Sequence, residues 1–423
     1  MANTFDAFTR TVAEGIDKGF DTERSLSKNV NVQLLDGRFH PNSGDNVDFK
    51  RPTDCVSHST SDGDISALSA SDIITGKATG TVQNYITVNI DYAEADEAIK
   101  MGNTDEYFRS MSRRIATDLE IGFASFMMKN CGLLYGTPGT APTTWDHIAG
   151  GSAILASSGV PRDNKWFYAV NPHTQVKLAS SQRSLGAGGT AGGLVMSAHE
   201  KAVISENFAG MDVVAANSLA SYTTSSVADR AGTLSASPTV TYLAAKDTMT
   251  QSLAVTAMGA NAVVKAGEVV QITGRNRLNL STRQAVVDDT GANILWTAVV
   301  TADVTLNGSG AGTLVCTGPA IYEAAGAYNT VDSAPVSGDV ITRLGAASKL
   351  IQPGLFWHKN AFSIGSVPLL KLHSTDTLMT TQDGLQLRVS KYSDGSKNLQ
   401  KVRIDLRPAF AALNPFYAGH GHG

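Results

Sequence analysis

Apolar and polar positions in the first third of the chain follow two rhythms. Val47 and Phe49 alternate with Asn46, Asp48 and Lys50, and from Thr81 to Tyr92 the same alternation runs through Val82, Ile86, Val88 and Ile90. Both stretches, Asn46–Arg51 and Thr81–Tyr92, are predicted strands. Between them lies a run of about 30 residues, too poor in bulky apolar side chains to offset its own ordering entropy. It is rich in Ser, Thr, Asp and Gly, including Ser61-Asp62-Gly63-Asp64 and Ile74-Thr75-Gly76-Lys77. Matching strands at its base predict an extended hairpin docked on another surface; a mobile surface loop is the alternative.

The rhythm then changes to three and four. Phe108, Met111, Ile115, Leu119, Phe123 and Phe126 form one stripe, while Arg109, Arg113, Arg114, Asp118 and Glu120 mostly occupy other faces. This predicts one helix over Thr104–Cys131, with Asn103 and Glu106 as a capping box and Gly132 as its stop. At 1.5 Å per residue it extends roughly 40 Å, the span of a domain.

Beyond it the pattern is mixed. Trp145, Ile148, Ile154 and Leu155 predict a helix, Trp166–Val170 a strand, and Pro172–Ala179 a helical start. Near Tyr222 the composition turns to Thr, Val, Ala, Gly and Ser and stays β-like to about Gly345, which reads as an inserted all-β domain. Thr239–Leu243 and Met249–Thr256 are strand-like. Trp296, Ala298, Val300, Ala302, Val304 and Leu306 share one face of a predicted strand, opposite Thr297, Thr301, Asp303 and Thr305. Ala266-Gly267-Glu268-Val269-Val270 and Ser337-Gly338-Asp339-Val340-Ile341 echo each other as turn-then-strand entries without amounting to a repeat. After the insertion, Leu385, Leu387 and Val389 and then Val402, Ile404 and Leu406 alternate around a turn at Ser393-Asp394-Gly395-Ser396. Ahead of the hairpin, Phe5, Phe8, Val12, Ile16 and Phe20 have helical spacing.

Hairpin followed by long helix resembles the coat proteins of tailed double-stranded DNA bacteriophages, and particular phrases narrow the likeness to the short-tailed branch. These are Gly44-Asp45-Asn46-Val47-Asp48-Phe49-Lys50-Arg51-Pro52, Gly63-Asp64-Ile65-Ser66, Gly76 through Val88 and Glu97-Ala98-Ile99-Lys100. Pro368 to Ser374, Lys391-Tyr392-Ser393-Asp394-Gly395 and Asp405-Leu406-Arg407-Pro408 carry it near the C-terminus. The likeness is strong over 44–132 and 350–416 and weak over 134–205 and the middle.

The resemblance implies an α+β capsid shell fold with an inserted all-β, barrel-like domain. It divides the chain into an N-terminal arm (1–43), an extended hairpin or E-loop with its base strands (44–92), a spine helix of the peripheral domain (93–133), the first part of an axial domain (134–221), the inserted domain (222–346), and a return to the axial and peripheral domains (347–423). It further implies a structural subunit that self-assembles into pentamers and hexamers of an icosahedral shell around the phage genome. That subunit would reside in the virion, be assembled in the host cytoplasm and meet a portal protein. Members with a fused scaffold need more chain ahead of the hairpin, so a separate scaffolding protein is expected.

Composition is compatible with this. A chain of 423 residues, 42% hydrophobic, supports two or three domains. With 34 Lys plus Arg against 38 Asp plus Glu, the formal charge of −4 offers no footprint for gripping nucleic acid by its phosphates. Double-stranded DNA is therefore expected to be enclosed without sequence-specific binding, as suits packaging and release. Cys55, Cys131 and Cys316 follow no ligand spacing and are expected as free thiols. No signal-like N-terminus and no membrane-length apolar run are evident, so no membrane association is expected.

Candidate chemistry is sparse. His40, His58, His147, His173, His199, His358 and His373 are scattered, and Gly419-His420-Gly421-His422-Gly423 reads as a frayed terminus with weak metal affinity as the alternative. Leu185 to Gly193 is glycine-rich but lacks the strand, Lys-Ser/Thr and acidic partner of a phosphate loop. Asp62 with Asp64, and Asp288 with Asp289, lack an acid/base partner, and no Gly-x-Ser-x-Gly elbow occurs. No catalytic residue, cofactor or metal is predicted, and the chain is not expected to be an enzyme.

Candidate residues are instead assembly contacts, because rings of identical subunits use heterologous surfaces. In the resembled family the hairpin lies over an adjacent subunit, which nominates Lys50, Arg51, Asp62, Asp64, Asp72 and Lys77. The related coats bridge capsomers through a loop of the inserted domain, which nominates Lys246 and Asp247, with Arg275, Arg277, Arg283, Asp288 and Asp289 as a competing set. Some members of the wider fold cross-link a hairpin Lys to an Asn; Lys77 with Asn398 or Asn414 is the pair here, and a non-covalent shell is the expectation. Two rival readings are a cellular nanocompartment shell and an adhesive or carbohydrate-binding β-protein.

Overall fold

The computed structural model describes residues 20, 23–32, 46–66, 73–93, 104–185, 202, 204, 207–324, 326–373, 376–381, 383–394, 396–397 and 399–423. The helix expected over Phe5–Phe20, the glycine run after Leu185, the Asn103 cap, Asp72 and Asn398 lie outside them. The chain divides into two compact units, one of residues 1–47, 80–124 and 362–411 and one of residues 48–79, 125–361 and 412–423.

The predicted helix forms over Thr104–Lys129, its residues through Ala124 counted with the first unit and the rest with the second. Phe108, Met111, Ile115, Leu119 and Phe123 are all buried, as their spacing requires. Phe123 lies against Phe362 and Phe410, with ring centroids 6.4 and 5.1 Å away. Glu120, expected on a polar face, is instead 1% exposed. Its carboxylate accepts the backbone N–H groups of Leu26 (2.7 Å), Ser27 (2.9 Å) and Ser25 (3.3 Å), so one side chain satisfies three donors of an irregular segment.

The first unit also contains an antiparallel sheet in the order Thr377–Thr380, Gln386–Asp394, Leu399–Leu406, Ile86–Ala93. Arg388, Asp405 and Thr87 stand directly opposite one another across three of these strands. Asp405 accepts Arg388 Nη2 at 2.6 Å, Arg403 Nε at 2.6 Å and Thr87 Oγ1 at 2.7 Å. Burial works to raise this carboxyl, and the three hydrogen bonds overcome it and hold it below the usual range. The Asp405 and Thr87 phrases, far apart in sequence, are thus one cross-strand network. The single strand expected over Thr81–Tyr92 is in fact two, Lys77–Val82 and Ile86–Ala93. The first pairs with Pro408–Ala412, the second with Leu399–Leu406. Gln83 turns the chain, its N–H donating to Pro408 O at 2.8 Å and its side chain to Thr81 O at 3.1 Å. Alternation registers burial, and it continues unbroken when a chain changes sheets.

The second unit is built on a six-stranded sheet in the order Leu133–Tyr135, Ala418–Gly421, Gly354–His358, Trp166–Val170, Met211–Ala215, Asn207–Phe208. The expected helices form as Trp145–Ser157 and Pro172–Leu185, and the core joins Ile148, Ile154, Leu155, Trp166, Tyr168, Leu178 and Phe356. The C-terminus corrects the expectation of fraying. Ala418–Gly421 is an interior strand, parallel to Leu133–Tyr135 and antiparallel to Gly354–His358. Its glycines permit this, since a Cβ at Gly421 would lie 1.9 Å from the Tyr168 hydroxyl.

Within the same unit Ala231–Leu234, Thr250–Thr256, Val269–Asn276, Leu295–Val300, Gly312–Thr317 and Val340–Arg343 close into a barrel. Its core gathers Leu253, Val255, Val270, Ile272, Trp296, Val300, Leu314 and Ile341. Two local expectations fail. Thr239–Leu243 is not a strand; the short helix Tyr242–Ala245 forms there. The strand through Trp296 ends at Val300, and Thr297 is buried beside Arg277, whose guanidinium donates to its hydroxyl at 2.8 Å. The two sequence echoes have a common geometry. Gly267 (φ +94°) and Gly338 (φ +93°) precede neighbouring barrel strands. The acid after each accepts a backbone N–H three residues earlier and a guanidinium: Glu268 from Lys265 and Arg230, Asp339 from Val336 and Arg275.

Glu120→Ala strands three backbone donors and should cost about 2–4 kcal/mol in chemical unfolding of the full chain; a change below about 0.5 kcal/mol contradicts the cap. Burial lowers His420 to about 4 and His422 to about 3. Unfolded histidines take up protons first as pH falls below about 6.5, so the stability these neutral rings contribute is complete above that value and is lost progressively towards pH 4. His422→Asn should flatten the fall in unfolding midpoint between pH 7 and pH 4.5; an unchanged slope would refute the assignment.

Candidate assembly site

The arm, residues 48–79 of the second unit, has three parts that its composition explains differently. At its root, polar side chains pair across the two limbs: Lys77 Nζ lies 2.8 Å from Asp48 Oδ2, and Thr79 Oγ1 donates to Asp48 Oδ1 at 2.6 Å. These bonds lower the Asp48 carboxyl and raise the Lys77 ammonium. Arg51 is 8% exposed; its N–H donates to Gly76 O at 2.9 Å, its Nε to Lys77 O at 3.0 Å and its Nη1 to Leu413 O. Burial lowers the guanidinium to about 10, so it stays charged. Arg51 is an internal strut here, not a surface contact.

The middle of the arm is fastened to the stretches around Tyr242, Arg283 and Tyr328 within the barrel sequence and to Phe416 beyond it. Tyr242 and Tyr328 stack, centroids 3.7 Å apart and planes 2° from parallel. The Tyr328 hydroxyl accepts Asp54 N–H on the outgoing limb at 2.9 Å and donates to Ile74 O on the return limb at 3.3 Å. Arg283 Nη2 lies 2.5 Å from Asp54 Oδ2, while its Nη1 donates to Asn329 O at 2.8 Å. Ile74 packs on the cluster of Tyr242, Ala245, Met249, Ile321 and Phe416. The backbone at Gly76 comes so close that a Cβ there would lie 2.5 Å from Lys246 O. Next to it Lys77 N–H donates to Asp247 Oδ1 at 3.3 Å, and Asp247 pairs with Lys246 at 3.0 Å. The Lys246 hydrogen bond is the main reason the Asp247 carboxyl is lowered.

The outer part, residues 57–66, is exposed throughout and has no strand. Asp62 Oδ1 accepts Asp64 N–H at 3.1 Å and Asp64 Oδ1 accepts Ser66 N–H at 2.8 Å, so both acids shape the backbone of the turn. Ile65 is 62% exposed and Ile73, on the return limb, 80%.

The structure separates the remaining nominated residues. Lys50 is exposed on the strand Asn46–Lys50. Arg277 is removed as a contact: it is 4% exposed and donates to Gly132 O, Thr297 O and Thr297 Oγ1. Arg275 likewise is held by Asp339, Nε to Oδ2 and Nη2 to Oδ1, each 2.8 Å. Asp288 is exposed and closes its own turn by accepting Thr290 and Ala292 N–H, and Asp289 is exposed beside it. Asp54, Ile74, Tyr242 and Tyr328, which organise the anchor, were not nominated. Only the two tyrosines, isolated aromatics in an Ala/Thr/Gly-rich stretch, carry a sequence signal. Among the described residues no cluster of three metal-ligating side chains occurs and no helix is long and apolar enough to cross a membrane.

Comparison with known proteins places the whole chain. The family model for the P22 coat protein, gene protein 5, matches residues 1–422. The major capsid protein of Acyrthosiphon pisum secondary endosymbiont phage 1 is 34% identical over 427 residues, covering 100% of both chains. Among solved structures, one from Mycobacterium phage Che8 is 13% identical with a TM-score of 0.48, covering 94% of this chain and 90% of that one. The capsid of cyanophage P-SCSP1u is 13% identical with a TM-score of 0.43, over 94% and 88%. With a family model spanning nearly every residue and a full-length relative at 34% identity, this chain belongs to the P22 coat protein family.

Proposed function

We propose that this chain is the major capsid subunit of a tailed double-stranded DNA phage, assembling with a separate scaffolding protein into pentamers and hexamers of an icosahedral shell that also holds a portal. The observation that carries the arm's part in this is its division into a fixed root and an exposed tip. Asp54, Ile74 and Gly76–Lys77 fix where the arm leaves its own unit, while residues 57–66 are exposed throughout. Exposed Ile65 and Ile73 are the side chains that a neighbouring subunit would bury, and Lys50, Asp62 and Asp64 are the charges left to pair with it. Such pairs at an exposed rim add register more than affinity.

Residues 44–92 then act as the intersubunit arm, 93–133 as the spine, and 222–346 as an inserted domain whose first service is to anchor the arm root. A near-neutral chain suits a container that must release its DNA. No catalytic role is proposed. Assembly takes place in the host cytoplasm, and the shell is held without covalent links. Lys77 is paired with Asp48, and Asn414 already accepts Phe416 N–H in its own turn.

Deletion of Ser61–Asp72 should leave a subunit that is folded by circular dichroism but no longer closes shells by negative-stain microscopy; normal shells would refute the arm's role. Mature particles boiled in detergent should run as monomer, and a ladder of higher bands would overturn the non-covalent reading.

A further inference from the structure

One end of the barrel holds a buried group of charges that does not balance. Arg230, at the entry to Ala231–Leu234, and Arg343, the last residue of Val340–Arg343, are 8% and 1% exposed, and Glu268, just ahead of Val269–Asn276, is fully buried. Glu268 Oε2 lies 2.8 Å from Arg230 Nη2 and 4.0 Å from Arg343 Nη1, so one carboxylate faces two guanidinium ions. Its other oxygen is occupied by Lys265 N–H at 2.9 Å. Several arginine N–H groups are accounted for: Arg230 Nε and Nη2 reach Arg343 O and Leu344 O, and Arg343 Nη2 reaches Asp229 O and Met258 O.

What remains consists of donors. Arg230 Nη1, Arg343 Nε, Arg343 Nη1 and the hydroxyl of Tyr222 are all buried and have no hydrogen-bond partner among the described residues. Tyr222 belongs to the same group: its ring lies 3.2 Å from where a Cβ on Gly267, the residue before Glu268, would stand, and the Glu268 charge adds to burial in raising its phenol while Arg230 opposes them. Water can satisfy N–H groups, but it cannot neutralise a surplus cation held out of solvent, and an uncompensated buried charge is among the costliest features a fold can carry. Asp229 lends its charge to Arg343 only from an exposed position.

We propose that a small monatomic anion, of the chloride class, is bound between Arg230, Arg343 and Tyr222 as a structural ligand of the inserted domain. It receives N–H and O–H donors that have no acceptor among the described residues and brings the two-arginine, one-carboxylate group to neutrality. The site lies where the barrel meets the end of the spine helix: Tyr222 packs with Met128 and Ile351, and a Cβ on Gly267 would lie 2.8 Å from Met128 Cε. The anion therefore fastens the entry to Val269–Asn276 against Met128, within the unit that also roots the arm.

The test is thermal unfolding of the full-length subunit at fixed ionic strength, with sodium gluconate replaced stepwise by chloride or bromide. A saturable rise in midpoint with both halides is expected, by mass action on the native state. Tyr222→Phe, which removes one donor and keeps the ring, should raise the half-saturating halide concentration about five-fold. Arg343→Gln should abolish the saturable component. If that variant does not fold, broadening of the chloride magnetic-resonance line by the wild-type chain, reversed by bromide, still decides the matter. A wild-type midpoint indifferent to halide, or an identical halide response in Tyr222→Phe, overturns the site and leaves the group solvated by water alone.

Discussion

The constraint on which the arm depends is that a polar segment without a core must be ordered by something else. Here the first ordering is intramolecular. Tyr328, braced by its stack on Tyr242, bonds both limbs, Arg283 closes on Asp54, and Ile74 is buried at the edge of an apolar cluster. Each bond is modest, on the order of 1 kcal/mol. Together they restrict where the chain departs, and a restricted departure lowers the entropy that a later contact must overcome. The outer part, residues 57–66, is exposed throughout, Ile65 included, and Ile73 on the return limb is exposed as well.

The inserted barrel supplies the rigid side of this arrangement. Its closed strand order removes edges that would otherwise pair with other chains, and its core around Trp296 is continuous. Polar side chains at its margins are directed inward: Arg277 reaches Gly132 O behind the spine helix, and Arg275 and Arg230 each meet the acid that follows a positive-φ glycine. The barrel is tied to its own unit by directional bonds as well as by apolar contact.

Periodicity made the spine helix, the strands at Trp166 and Gln386 and the β character of 222–346 legible, because those elements bury one face and the sequence records it. It could not read the break at Gln83, where two sheets share an unbroken alternation, or the interior strand Ala418–Gly421, whose glycines are required by Tyr168 and Phe356 and carry no apolar signal. Charge was the least legible property. Arg51, Arg275, Arg277 and Arg283 looked available to a neighbour, yet their partners are a carbonyl or carboxylate of the same chain, separated from them by tens to hundreds of residues. Glu120 is a parallel case: a helical wheel places it, but not the backbone of Ser25–Ser27 that comes to meet it. The coat-protein resemblance was legible in the 44–132 and 350–416 phrases, and part of it has a physical basis in the Thr87–Asp405–Arg388 network.

The most direct measurement is a density map of the assembled shell at side-chain resolution. Residues 57–66 should lie on a neighbouring subunit, with Ile65 covered, while Asp54 keeps Arg283 of its own chain. An arm tip packed on its own subunit, or an Asp54 paired across the interface with the arm root released from Tyr328, would contradict it.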